Sequence, residues 1–280
     1  MDNNVFVLLI LMLAINVIVL ICGIILNSLV VLCWLKSSHL RKKAFNFTIC
    51  LLSCIDLLTI ATNNPVLITE LAVWIGEKES LLQVRYVARY FNIFISSSFL
   101  TLLLVSIERY FSIFQPIFHR KKVNKTFLIK LHLVLLFLST IIFLLYLTEH
   151  AMISAIVFTL LFILPFLFIN TKLHTISKKY RGNNSIRPEI NRQLSRKGKF
   201  SFKSTSTCLL LVACVLICCI PMPMGVIFWV LQKKTALDLT YLLSKTFWCI
   251  KSTSNCLVIF SRNKNIRSEA TKILKQLSNA

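Results

Sequence analysis

The sequence predicts an all-α membrane protein, a seven-transmembrane helix bundle followed by an amphipathic C-terminal helix. Of the 280 residues, 56% are hydrophobic and only 15% are charged, whereas about 25% of the residues of soluble proteins are charged. Uncharged apolar stretches recur along almost the whole chain. Each is long enough, or nearly so, to cross the roughly 30 Å hydrocarbon core of a bilayer as a helix. The stretches are continuous and do not alternate with polar residues, which favours helices over the strands of a barrel.

The apolar stretches also give the domain organisation. Residues 1–261 form the bundle, and its first span lacks a basic leader and is too long for the core of a signal peptide, so we expect it to be retained. Residues 262–280 place Ile266, Ala270 and Ile273 at helical spacing opposite basic residues, which predicts an amphipathic helix on the inner leaflet and a short cytoplasmic tail. The predicted spans lie at about residues 5–35, 44–69, 86–114, 126–147, 151–174, 203–231 and 239–261.

The basic residues are concentrated in alternate connections between the spans. With the N-terminus outside, 23 of the 32 Lys and Arg residues fall in cytoplasmic segments, and six of the ten acidic residues fall in outer ones. This asymmetry predicts an extracellular N-terminus. The net charge of +22 then comes mostly from cytoplasmic residues that lie beside anionic lipid headgroups. The lipid bilayer is therefore the expected partner of these basic residues, and no nucleic acid is expected. The basic segment 175–203, which contains Gly and Pro residues, is expected to be a mobile loop.

An acid and a base stand side by side at the end of the third span. Glu108 and Arg109 follow an uncharged run and precede Tyr110. Charges at the end of a membrane helix are costly unless they are paired or reach the interface. The two side chains can neutralise each other while the cytoplasmic mouth is closed, and separation of the helices would free Arg109 for a partner protein. The alternative is that Arg109 is a snorkelling anchor.

This stretch resembles the rhodopsin-like (class A) G-protein-coupled receptors. Their pattern is Asp/Glu-Arg-Tyr, two residues, Ile, two residues and Pro, and the chain has Glu108-Arg109-Tyr110-Phe-Ser-Ile113-Phe-Gln-Pro116. Family motifs also match, in order, at Asn27 in span 1, Asp56 in span 2, Pro165 in span 5, Pro221 in span 6 and Asn255 in span 7. The resemblance covers the whole chain. The activation switch that it implies consists of Glu108, Arg109, Tyr110, Pro116 and Asn255.

The resemblance implies a multi-pass receptor of the plasma membrane that does no covalent chemistry. An unknown extracellular ligand would bind in the outer bundle, shift the helices and activate a heterotrimeric G protein at the cytoplasmic face. The basic inner segments around Arg109 would form the docking surface. We find no catalytic triad, metal-ligand set or phosphate loop in the sequence, so an enzyme is not predicted and no cofactor is expected.

The chain also departs from the family pattern. Span 3 begins without a Cys and the second outer loop is very short, so the usual outer disulfide is missing, as in some short-outer-loop members such as the melanocortin-like receptors. Cys219 stands in place of the Trp of span 6, Cys256 in place of the Pro of span 7, and Ile259 in place of its Tyr. These changes leave two alternatives open, a receptor with high basal activity and a decoy that no longer signals.

Asp56 lies near the middle of span 2, where an unpaired carboxylate is expensive. The resemblance implies a sodium site there. Lys251 lies one turn from Asn255 on the same face of span 7, and we expect its ammonium to pair with Asp56 and to replace the sodium ion. The alternative is that Lys251 turns to another polar surface or is neutral. The predicted polar cluster comprises Asn27, Asp56, Ser98, Lys251, Ser252 and Asn255.

The outer ends of the spans are expected to hold the ligand. The position of the Asp of aminergic receptors is Phe91 here, and the position of the retinal-binding Lys of opsins is Cys249, so neither an amine nor retinal is indicated. Glu70 and Lys245 can pair with each other across spans 2 and 7, or they can contact a charged ligand. The candidate pocket residues are Glu70, Phe91, Met222, Val226, Trp229, Tyr241, Lys245 and Trp248.

A second class of protein is a transporter or an ion relay. Charges buried in the membrane, here Asp56 and Lys251, are typical of proton and ion pathways. Seven spans without repeated halves, and the Glu108-Arg109-Tyr110 stretch, argue against this class.

Overall fold

The computed structural model describes residues 3–76, 81–147, 157, 159–183, 191–221, 224, 227–228, 231 and 234–278. Side chains are described for a smaller set, which leaves out 81–92, 145–147, 159, 176–183, 191–204, 234–235 and 277. Within the described ranges the chain is helical and forms no strand. The all-α prediction therefore holds for the described part of the chain.

Four long helices and two short ones form the first half. The long helices have the lengths expected of membrane spans, and the short ones follow the first and the third of them. In chain order they are α1 (Asn3–Lys36), α2 (Ser38–Arg41), α3 (Ala44–Ile75), α4 (Leu81–Phe114), α5 (Pro116–Lys122) and α6 (Lys125–Leu147). The helix α3 continues through Pro65 and ends six residues beyond the predicted span.

The second half contains a π-helical turn before its first long helix. This turn, Thr159–Ile163, leads directly into α7, and the remaining helices follow the order of the predicted spans. They are α7 (Leu164–Asn183), α8 (Asn191–Cys218), α9 (Lys234–Arg262) and α10 (Lys264–Ser278).

Two features of the second half differ from the sequence expectation. Segment 175–203 was expected to be a loop, but α7 continues to Asn183 and α8 begins at Asn191, because a helix can extend beyond the membrane and keep its own backbone hydrogen bonds. The sixth span was expected to run to residue 231 without a break, but α8 ends at Cys218 and a turn at Cys219 and Ile220 precedes Pro221. Proline disfavours the helical conformation of the residue before it, which accounts for this interruption. The described residues Pro221, Met224, Ile227 and Phe228 are helical again, so the predicted end of the span stays a prediction.

Four described helices are long and apolar enough to cross a membrane. They are Asn3–Lys36, Ala44–Ile75, Ile93–Phe114 and Lys125–Leu144, with mean hydropathies of 3.3, 1.9, 1.4 and 2.5. Leu160–Thr175 and Thr205–Cys218 are shorter apolar helices. The helix α9 contains Asp238, Lys245 and Lys251, and these charges lower its mean hydropathy below that of the four long apolar helices.

The chain divides into two compact units. Unit 1 comprises Met1–Leu32, Ser53–Ser98 and Ala213–Leu257, and unit 2 comprises Cys33–Leu52, Phe99–Val212 and Val258–Ala280. In unit 1, side chains of α1, α3 and α9 form an apolar core of Leu9, Met12, Val19, Leu67, Leu71, Leu242 and Cys249. In unit 2, Leu104, Val123 and Leu128 form a buried cluster against Phe111 and Phe127.

Gly23 allows three helices of unit 1 to approach closely. A Cβ atom at this position would lie 2.4 Å from Cδ1 of Ile60 on α3 and 2.7 Å from Oγ1 of Thr253 on α9. No real Cβ contact is that short, so only glycine fits here without a shift of its neighbours.

The helix α10 is amphipathic, as the sequence predicts. Ile266, Ala270 and Ile273 are buried in unit 2, whereas Arg267 and Lys272 are exposed. The thiol of Cys33 on α1 lies 3.8 Å from the carbonyl oxygen of Ile266. The helix therefore buries one face against unit 2 and presents basic residues on the other.

Candidate functional site

The end of α4 carries a buried pair of charges in unit 2. Nε and Nη2 of Arg109 donate hydrogen bonds to the two carboxylate oxygens of Glu108. Glu108 is fully buried and Arg109 is only 4% exposed. The two-pronged geometry matches the flat guanidinium to the carboxylate and makes this a strong, charge-assisted contact. The two opposite charges therefore cancel each other at this buried end of α4.

Two further side chains of unit 2 complete the surroundings of this pair. Nε2 of His119 lies 2.8 Å from Oε1 of Glu108, and because a carboxylate only accepts, Nε2 carries the hydrogen. The guanidinium carbon of Arg109 lies 4.3 Å from the ring centre of Phe45 on α3, a cation–π contact. Three helices thus hold the two charges from different sides, and we name Glu108, Arg109, His119 and Phe45 the α4 charge cluster.

The sequence analysis did not include His119 or Phe45 in the site. The sequence feature that could have placed His119 near Glu108 is the helix break at Gln115, which ends α4 and is followed by Pro116 at the first position of α5. Proline is well suited to start a helix, and the first turn of α5 returns to the end of α4. Tyr110, of the predicted switch, stacks on Phe114 with ring centres 4.4 Å apart.

A second polar cluster of unit 2 connects α4, α7 and α8. Nδ2 of Asn170 lies 3.2 Å from Oγ of Ser106, and Sγ of Cys208 lies 3.6 Å from the same oxygen. All three residues are buried. Hydrogen bonds between polar side chains are one way in which membrane helices associate, and this cluster joins the three helices. The sequence analysis did not identify it.

A polar cluster of unit 1 surrounds Asp56. Nζ of Lys251 lies 3.4 Å from Oδ1 of Asp56, and both side chains are completely buried. Lys251 also donates to the hydroxyl of Ser98, and Ser98 donates to Oδ1 of Asp56. Nδ2 of Asn255 donates to Oδ2 of Asp56 at 2.7 Å. The ring centre of Trp248 lies 5.9 Å from the ammonium.

The other two residues of the predicted cluster have different surroundings. Asn27 donates to the carbonyl of Gly23 at 2.9 Å and accepts a hydrogen bond from the Cys256 thiol, also at 2.9 Å. The cysteine that replaces the family's proline thus provides a donor for Asn27. Ser252 is buried, and within the described part of the chain its hydroxyl has no hydrogen-bond partner.

A second buried ion pair of unit 1 joins α3 to α9. Nζ of Lys245 lies 3.1 Å from Oε2 of Glu70, which is fully buried. The same ammonium lies 4.3 Å from the ring centre of Tyr241. Of the other candidate pocket residues, Trp248 is half-buried, whereas Met222, Val226, Trp229 and the side chain of Phe91 lie outside the described residues. The predicted ligand pocket therefore stays a prediction.

Apolar helices of membrane-spanning length with paired charges buried inside them define a multi-pass helical membrane protein. Residues 26–152 match the family model described as 7 transmembrane receptor (rhodopsin family). Residues 189–280 match the model described as Serpentine type 7TM GPCR chemoreceptor Srt. No curated protein matches the chain. Both models describe seven-transmembrane receptors, so the chain is similar to such receptors in both of these parts, as expected of a divergent relative of the rhodopsin-like class. The predicted fold class and the resemblance are confirmed.

Proposed function

We propose that this protein is a G-protein-coupled receptor of the plasma membrane with its N-terminus outside the cell. An extracellular ligand binds in the outer bundle and shifts the helices, and the cytoplasmic face then activates a heterotrimeric G protein. The single observation that carries this proposal is the α4 charge cluster, in which Arg109 is buried against Glu108 and Phe45.

The physical argument concerns the cost of burying these charges. Taking an ion pair out of water costs about as much as the pair regains, so a buried pair does little for stability. Its best-attested use is in a switch between alternatives. In the closed state Arg109 is held by partners on α3 and α4; when the helices separate, the guanidinium is released and can meet a partner protein. The ligand acts by binding the open state more tightly than the closed one.

The neighbouring helix α5 has the composition of a docking surface. Ile117 is 71% exposed, and Arg120, Lys121 and Lys122 on the same short helix are exposed as well. The adjacent Phe118 is 37% exposed, and an exposed apolar patch with polar residues around it is typical of a protein or membrane contact. The cationic surface also favours an acidic partner, and α5 is contiguous with the α4 charge cluster through His119.

A panel of G-protein activation assays in cells tests this proposal. The intact chain is compared with Arg109→Ala at equal surface expression, and Lys130→Ala, which removes one exposed positive charge from α6, is the matched control. We expect signal from the intact chain and from the control, and its loss in Arg109→Ala. A signal that persists undiminished in Arg109→Ala contradicts the proposed coupling. A chain that reaches the surface and activates no G protein of the panel, with or without Arg109, supports the decoy alternative.

The second candidate function is an ion or proton relay. It is favoured by the two buried pairs of unit 1, Asp56–Lys251 and Glu70–Lys245. The two lysines stand six residues apart on α9, roughly 9 Å along its axis, and charged side chains inside membranes are typical of relays. Currents or proton fluxes in liposomes that contain the protein and no G protein would favour this function. Their absence, with signalling that depends on Arg109, favours the receptor.

A further inference from the structure

The rhodopsin-like class implies a sodium ion at the carboxylate that corresponds to Asp56, and the residues present here do not fit one. A sodium site needs oxygen ligands and a net negative charge. In this chain the lone pairs of Asp56 are directed at N–H and O–H donors instead. Lys251 and Ser98 donate to Oδ1, and Asn255 donates to Oδ2.

The net charge of the site also argues against a bound sodium ion. Asp56 contributes one negative charge, and Lys251, within 3.4 Å, contributes one positive charge. Both side chains have no exposure to bulk solvent, so the repulsion between the ammonium and a second cation at the same carboxylate is only weakly screened. A sodium ion there would replace an attractive pair by two adjacent positive charges in a medium of low polarity.

We propose that the ammonium of Lys251 is a built-in cation that takes the place of a diffusible sodium ion. It contacts the carboxylate of α3 and the hydroxyl of Ser98 on α4, so one side chain of α9 connects three helices of unit 1. A sodium ion dissociates when its concentration falls, whereas a tethered ammonium does not. The polar cluster is therefore occupied at every salt concentration, and its state does not depend on the sodium gradient across the membrane.

The inference is tested by thermal unfolding of the purified full-length chain in lipid nanodiscs. The salts are sodium, potassium and choline chloride at about 150 mM, so that ionic strength is constant. We expect the midpoint of the intact chain to agree in the three salts within about 1 °C. In Lys251→Met, which leaves Asp56 without its cation, we expect a lower midpoint in potassium and choline, and a saturable rise of several degrees in sodium, because a ligand that binds only the folded state raises the midpoint.

The double variant Lys251→Met/Asp56→Asn is the control. It removes both charges, so we expect its midpoint to be equal in the three salts again. A Lys251→Met variant that folds and shows no preference for sodium would contradict the inference.

The intact chain also tests the inference, without any substitution of Lys251. A saturable, sodium-specific rise of its midpoint that Asp56→Asn abolishes would overturn the inference. The readout involves no G protein and no ligand, so its outcome is independent of the proposed signalling function.

Discussion

Glu108→Gln gives the sharpest test of the proposed switch. The substitution keeps the shape of the side chain and removes its charge. In the structure Glu108 accepts two hydrogen bonds from Arg109 and one from His119. A glutamine retains one acceptor oxygen, so the closed state loses part of the contact but not all of it.

The magnitude follows from the burial of the pair. Removing one partner of a buried ion pair costs about 3–5 kcal/mol, and the bond that glutamine keeps reduces this to about 2–3 kcal/mol. Every 1.4 kcal/mol is about tenfold, so the ratio of open to closed receptor rises roughly 30- to 140-fold. For a receptor that is about 1% open without ligand, the open fraction becomes roughly one fifth to more than one half.

The assay is basal G-protein activation per receptor at the cell surface, without added ligand. Glu269→Gln is the matched control, because Glu269 pairs at 3.0 Å with Lys272, whose side chain is 65% exposed, and ion pairs open to solvent contribute about 0–1 kcal/mol. We expect a large rise in basal signal for Glu108→Gln and none for the control. Equal basal signals for Glu108→Gln and the intact chain, at equal surface expression, would refute the switch.

Two further predictions follow from other contacts. His119→Phe removes the hydrogen bond to Glu108 from a side chain that is 20% exposed. Such a bond contributes about 1 kcal/mol, so basal signal per surface receptor should rise roughly fivefold, which is less than the rise for Glu108→Gln. An equally large rise would contradict the inference that Arg109 holds Glu108 more strongly than His119 does. Gly23→Ala forces a Cβ atom against the side chains of Ile60 and Thr253 in unit 1. Overpacking of this kind costs about 1–3 kcal/mol, so the thermal midpoint of the purified chain should fall. An unchanged midpoint would show that these two side chains turn aside at no cost, which contradicts the tight packing inferred at Gly23.

The membrane makes some long-range contacts predictable from the sequence. An unpaired charge inside hydrocarbon is so costly that each charge in an apolar stretch must find a partner, and few partners exist. For this reason the pairing of Asp56 with Lys251, and one of the two options for Glu70 and Lys245, could be proposed from the sequence, and the structure places both pairs within 3.4 Å. What these pairs do in the protein stays a prediction.

The neighbours of the paired charges could not be predicted in the same way. His119 reaches Glu108 because the chain breaks at Gln115 and α5 starts at Pro116, and the direction of such a turn is not contained in the periodicity of either helix. Phe45 meets Arg109 only because α3 is rotated to present that ring. An apolar side chain can be buried against many different neighbours at no electrostatic cost, so the sequence does not indicate which neighbour Phe45 contacts.

The sequence by itself determined the class of the fold, the order of the helices and the short list of charges that must be paired. These depend on composition and on the cost of placing charge in hydrocarbon, which are properties of the chain and its solvent. Only the tertiary structure decided that Ser106, Asn170 and Cys208 meet on three helices, and that Cys256 donates to Asn27 rather than lying apart from it. Such contacts depend on rotations of helices by a few tens of degrees, and weakly polar side chains tolerate many rotations until close packing fixes one of them.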